Sequence, residues 1–93
     1  MASYNLVIKR SAAKELEEIA GKKDRARITQ RILALADNPR PVGVEKLSGT
    51  TEKYRIRQGN FRIIYEIQDD RLIVTIVRIA DRKVVYRKRG KRF

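Results

Sequence analysis

Residues 54 to 80 constrain this chain most, because they leave room for little except an antiparallel meander. Tyr54-Arg55-Ile56-Arg57 alternates apolar and cationic residues with the period of a strand. Gln58-Gly59-Asn60 is a turn sequence. Phe61-Arg62-Ile63-Ile64-Tyr65-Glu66-Ile67 reads as the next strand and Gln68-Asp69-Asp70 as another turn. Arg71 to Ala80 is nearly continuous in β-branched and apolar residues, which predicts a central strand covered on both faces. Connections this short join only antiparallel neighbours. Asp81-Arg82-Lys83 breaks the run, and Val84-Val85-Tyr86 reads as a last short strand or turn.

The first half has a different period. Tyr4 to Lys9 reads as a short strand. Ser11 is then a candidate N-cap for a helix with Ala12, Ala13, Leu16, Ile19 and Ala20 in one apolar stripe, which Gly21 ends. Lys22-Lys23-Asp24 is the expected turn. A second helix to about Ala36 carries Ile28, Ile32 and Leu35 at helical spacing, and Asp37-Asn38-Pro39-Arg40-Pro41 stops it. Pro41 to Lys53 reads as a loop pinned to the core by Val44 and Leu47. The expected fold is α+β: an N-terminal strand and an antiparallel two-helix hairpin, packed on a mainly antiparallel sheet of four to five strands.

A chain of 93 residues is expected to be one domain, 1–93, with a flexible basic tail at 87–93. Lys plus Arg is 23 against 11 Asp plus Glu, a net charge of +12. That exceeds the magnitude of roughly 2 to 8 that keeps a small domain soluble, and it predicts attraction to polyanions. There is no cysteine and no histidine, so disulfides, thiolate chemistry and the usual neutral-pH base and metal ligand are excluded. No cofactor or metal site is expected. Neither a signal peptide nor an apolar span of about 18 residues is evident, so the expected location is cytoplasmic and away from membranes.

Alternation gives the charge a location. If Ile56, Phe61, Ile63 and Tyr65 face the helices, Arg55, Arg57 and Arg62 share the opposite face, with Arg78 and Arg82 on or just after the next strand. A single arginine on an exposed strand is ordinarily just solvated; a group on adjacent strands offers several planar forks suited to phosphate oxygens. From Arg87 to Arg92 five of six residues are basic, which adds non-specific phosphate attraction through Arg87, Lys88, Arg89, Lys91 and Arg92. Tyr54 and Tyr65 suit the core. Tyr86, between Lys83 and the basic tail, could pack, stack on a base or act through its hydroxyl. No phosphate-binding glycine loop, zinc finger or Ser/His/Asp set occurs, and the exposed strand positions lack the aromatics of a four-stranded RNA-recognition sheet.

Three segments in this order resemble the RelE/ParE superfamily of bacterial toxins. They are Pro39 to Leu47 with Lys46-Leu47-Ser48-Gly49, then Tyr54 to Ile67, then Ile79-Ala80-Asp81-Arg82-Lys83-Val84-Val85-Tyr86. The resemblance spans the whole chain and implies a RelE-like microbial RNase fold. It further implies a type II toxin that is a ribosome-dependent endoribonuclease cutting mRNA in the A site. Matched motif by motif, the catalytic residues are Arg62, Arg82 and Tyr86, with Arg55 and Arg57 as the basic pair on the earlier strand. Arg78, Lys83 and the tail cations would bind RNA or the ribosome. Where many relatives have histidine this chain has Asp81, and where the ribosome-dependent enzyme uses lysines it has arginines.

In the implied reaction the RNA 2′-hydroxyl attacks the adjacent phosphorus, the bond to the 5′-oxygen breaks, and a 2′,3′-cyclic phosphate and a 5′-hydroxyl result. Arg62 and Arg82 would stabilise phosphoryl charge. Tyr86 would orient the nucleotide or take the 2′-hydroxyl proton, a task for which its ordinary pKa near 10 must be lowered by nearby cations. Arg55 or Arg57 would supply charge or protonate the leaving oxygen. No metal is needed. The resemblance also implies an acidic antitoxin partner, through which operator DNA is met indirectly. Two other actions fit the same fold: inhibition of DNA gyrase, as in the ParE branch, or RNA binding without cleavage.

Overall fold

The computed structural model describes residues 3–47 and 52–81. The chain opens with β1 (Asn5–Ile8) and continues through α1 (Arg10–Glu17) and α2 (Lys22–Ala34). It then forms β2 (Glu45–Lys46), β3 (Lys53–Gln58), β4 (Phe61–Gln68) and β5 (Ile73–Asp81). The strands make one sheet in the order β1-β5-β4-β3-β2. Neighbours from β2 to β5 are antiparallel, while β1 joins β5 in parallel, with Asn5 opposite Ile73. The fold is thus α+β, a two-helix region packed on a mixed five-stranded sheet.

The core fills one face of the sheet. Tyr54 and Ile56 of β3, Phe61, Ile63, Tyr65 and Ile67 of β4, and Val74, Ile76 and Ile79 of β5 are buried against Ala12, Ile19, Ile28, Ile32 and Leu35. Val44 packs on the edge of this cluster, as its place in the sequence suggested. Each fully buried aliphatic contributes about 1.5–3 kcal/mol, so the alternation that selects this face is strongly enforced. β3 turns into β4 through Gly59 and Asn60, where Gly59 adopts the left-handed φ of +61° that so tight a hairpin needs.

Several local expectations are corrected. Ser11 lies inside α1, whose N-cap is Lys9 without a side-chain cap; the helix starts directly after β1 instead of waiting for a capping hydroxyl. Gly21 does not end α1, which stops at Glu17; it is the N-cap of α2. Lys22, Lys23 and Asp24 are the first turn of α2, where the Asp24 carboxylate suits the positive end of the helix dipole. The segment 41–53 is not all loop, because Glu45 and Lys46 pair with Arg55 and Tyr54. β5 starts at Ile73, since Leu72 sits at φ +56° and cannot continue a strand. β5 does lie inside the sheet, between β1 and β4, but it is not covered on both faces, since its face away from the helices is only half-buried. The segment Val84-Val85-Tyr86 and the tail 87–93 lie outside the described residues.

One irregularity decides where Arg78 points. Tyr65 pairs with Ile76 but Ile64 pairs with Arg78, so Val77 is a bulge without a partner on β4. Strict alternation would put Arg78 with Val74 and Ile76 in the core. The extra residue reverses the phase, so Ile79 is buried and Arg78 is exposed.

Candidate nucleic-acid interface

The register lines up side chains across the face opposite the helices. Arg55, Ile64 and Arg78 form one row across β3, β4 and β5, and Arg57, Arg62 and Ala80 form the next. Lys53, Glu66 and Thr75 make a third row. Four arginines therefore occupy two adjacent rows around a half-exposed isoleucine. Directly opposed residues have Cβ atoms about 4.5–5.5 Å apart, so the Arg57 and Arg62 side chains rise from the sheet side by side.

These arginines differ in how they are neutralised. Arg55 donates to Glu45 Oε1 through Nη2 at 2.7 Å and Nε at 3.2 Å. That bond, and more weakly the charges of Arg57 and Arg62, hold the Glu45 carboxyl below its ordinary pKa. Arg78 donates through Nε to Glu15 Oε2 at 3.0 Å. The Arg57 and Arg62 guanidiniums make no hydrogen bond or ion pair among the described residues. Opposed like charges destabilise a sheet, and here the Glu45 carboxylate, already bonded to Arg55, offsets them only weakly. An oxyanion between the two would receive several donors at once.

Of the residues expected at the site, Arg55, Arg57, Arg62 and Arg78 are brought together. Arg82, Lys83, Tyr86, Arg87, Lys88, Arg89, Lys91 and Arg92 lie outside the described residues, beyond the end of β5 at Asp81.

A family model described as the ParE toxin of the type II toxin–antitoxin system, parDE, matches residues 6–86. This chain belongs to that toxin family. The toxin is RelE-like within the wider RelE/ParE superfamily. It is similar to RelE1 of Methanocaldococcus jannaschii, a candidate toxin by its name, at 29% identity over 87 residues, covering 90% of this chain and 96% of that one. The crystal structure of the archaeal RelE–RelB complex from Pyrococcus horikoshii is similar at 27% identity and a TM-score of 0.77, covering 86% and 96%. The isolated RelE toxin of E. coli is similar at 26% identity and a TM-score of 0.72, covering 97% and 98%. Among the described residues of the toxin, no helix is long and apolar enough to cross a membrane.

The toxin also holds a polar cluster that the sequence reading missed. Arg40 donates to both oxygens of Asp69, at 3.2 Å from Nη1 and 2.9 Å from Nη2, and Tyr4 donates to Asp69 Oδ1 at 2.6 Å. The Nε of Arg40 donates to the Tyr54 hydroxyl at 3.2 Å, and that hydroxyl donates to Glu52. The guanidinium also lies 5.2 Å from the centroid of the Tyr54 ring, which stacks on Tyr65. The Arg40 bond, then that of Tyr4, draws the Asp69 carboxyl down to about 2. The Tyr65 hydroxyl donates to the Pro39 carbonyl at 2.7 Å, and burial pushes it up to about 12. Apart from Tyr54 and Glu52, these partners are distant in sequence; only Asn38-Pro39-Arg40 after a helix hinted that the stop had a job beyond ending α2. The cluster ties Tyr4, the 37–44 segment and the β4–β5 turn together, and so secures the lower end of the sheet that carries the arginines.

Proposed function

We propose that this toxin is a ribosome-dependent endoribonuclease that cleaves mRNA in the A site and so stops translation. The observation that carries the reading is the opposed pair Arg57 and Arg62, without an ion pair among the described residues and flanked by Arg55 and Arg78 on one face. A phosphodiester laid across these rows would meet guanidiniums where charge develops as the 2′-oxygen attacks phosphorus and the 5′-oxygen leaves. Arg62 serves the phosphoryl oxygens together with Arg82. Tyr86 orients the nucleotide or accepts the 2′-hydroxyl proton in the cationic field. Arg55 and Arg57 supply further charge, and the ribosome presents the substrate in line. A cognate acidic antitoxin is the second partner. RelE is found bound to RelB in the Pyrococcus horikoshii structure, and a surface of +12 favours a counter-charged segment laid over it.

The experiment is induction of the toxin alone, with mapping of mRNA 5′ ends against the reading frame. Cuts in phase with codons are expected, reduced about 10²- to 10³-fold in Arg62→Ala and lost in Tyr86→Phe. A second reading, inhibition of DNA gyrase, is favoured by the family model being that of the ParE toxin. Intact mRNA accompanied by a DNA-damage response would reject the nuclease in favour of that reading.

A further inference from the structure

We propose that Glu15 of α1 is a positioning residue, whose carboxylate holds the end of β5 in the register that places Arg78 on the same face of the sheet as Arg62. The proposal rests on reading this face as the RNA site. β1 ends at Ile8, opposite Ile76, so from Val77 onward β5 has no strand on that side among the described residues. A bare edge leaves backbone N–H groups unpaired. Glu15 substitutes for the missing strand at the point that matters. Its Oε1 accepts the backbone N–H of Ile79 at 2.8 Å, and its Oε2 accepts Nε–H of Arg78 at 3.0 Å. One carboxylate therefore engages two successive residues immediately after the Val77 bulge.

Those two residues face opposite ways. Ile79 is buried in the core, and Arg78 stands on the basic face opposite Ile64. A slip of one residue would exchange them, exposing Ile79 and driving a guanidinium inward. Burial of Ile79 resists the slip from the core side, and Glu15 resists it from the edge. Ala12, fully buried one turn earlier, anchors α1 so that Glu15 meets the strand. Glutamine at this position keeps the length but offers only one acceptor oxygen, whereas alanine removes both. The consequence reaches the site because Ala80, which follows Ile79 on β5, stands in the row of Arg57 and Arg62.

The test compares the full-length wild type, Glu15→Gln and Glu15→Ala, by NMR and by cleavage of ribosome-bound mRNA. In Glu15→Ala the Ile79 amide is expected to exchange with solvent at least about tenfold faster. The cross-strand contact between Arg78 and Ile64 should weaken. The kcat should fall about tenfold with KM within about twofold, and Glu15→Gln should lie between. A merely structural residue would lower the thermal midpoint and leave kcat per folded molecule unchanged. Unchanged Ile79 exchange in Glu15→Ala, or faster exchange with wild-type kcat, overturns the proposal. If the wild type itself cuts no mRNA, the nuclease reading fails separately. Ile79 exchange and the Arg78–Ile64 contact then decide whether Glu15 sets the register.

Discussion

Arg57 and Arg62 are each unremarkable as arginines on strands; their meaning comes from being opposite one another. A pair of like charges directly across a sheet costs a few tenths of a kcal/mol to about 1 kcal/mol relative to neutral residues. Arg55 and Arg78 have Glu45 and Glu15 as direct counter-ions, but this pair makes no ion pair among the described residues and feels Glu45 only weakly. Stability and function should therefore move in opposite directions here. Arg57→Gln and Arg62→Gln are each expected to leave the thermal midpoint unchanged or raise it by a few degrees, while growth arrest on induction is lost or greatly weakened. The check is a melting curve beside a plating assay. A substitution that lowers the midpoint by several degrees would mean that the two guanidiniums are structural, and the stored repulsion would no longer point to an anionic ligand.

Among the elements, the β4–β5 turn depends on the clamp between Arg40 and Asp69. The bidentate bond and the Tyr4 hydroxyl stabilise the ionised Asp69, whose carboxyl is drawn down to about 2 from an ordinary 3.8. Between those values the unfolded chain binds more protons than the folded one, so stability falls as the pH drops toward 2. Asp69→Asn is expected to lower stability at pH 7 and to flatten this acid slope, as read by denaturant melts from pH 6 to pH 2; an unchanged slope would show that the clamp contributes nothing to the fold. The sequence revealed the meander, its turns, the core alternation and the shared face of Arg55, Arg57 and Arg62, because those are set by period and by local turn chemistry. It could not reveal the clamp, whose partners lie 29 residues apart. Nor could it reveal β2, which exists only through pairing with Arg55 and Tyr54. The Val77 bulge escaped for a related reason: the local pattern reads equally well as unbroken alternation, and only Ile79 in the core and Glu15 on the edge reverse its phase. The roles expected of Arg82 and Tyr86 rest on the family resemblance alone, and both residues lie outside the described ones.

For the whole molecule, a net charge of +12 acts in two ways that salt separates. Within the folded chain it is self-repulsion, which destabilises a compact state and is relieved by screening over a Debye length of about 10 Å at 0.1 M salt. Toward RNA it is attraction, which the same salt weakens, with log affinity falling by about 0.7 per phosphate contact for each tenfold rise in salt. Raising potassium chloride from about 0.05 to 0.2 M should therefore raise the melting temperature while lowering affinity for single-stranded RNA. The site arginines should account for a defined part of the second trend. Replacing both Arg57 and Arg62 with glutamine is expected to flatten the salt slope of RNA binding by about 1.4, two contacts' worth. Substituting two basic residues on α2, such as Lys22 and Arg27, removes the same charge away from this face. It should lower the net charge equally while leaving most of the slope in place. If both double variants flatten the slope alike, RNA is responding to total charge rather than to the sheet, and the proposed interface is not where it binds.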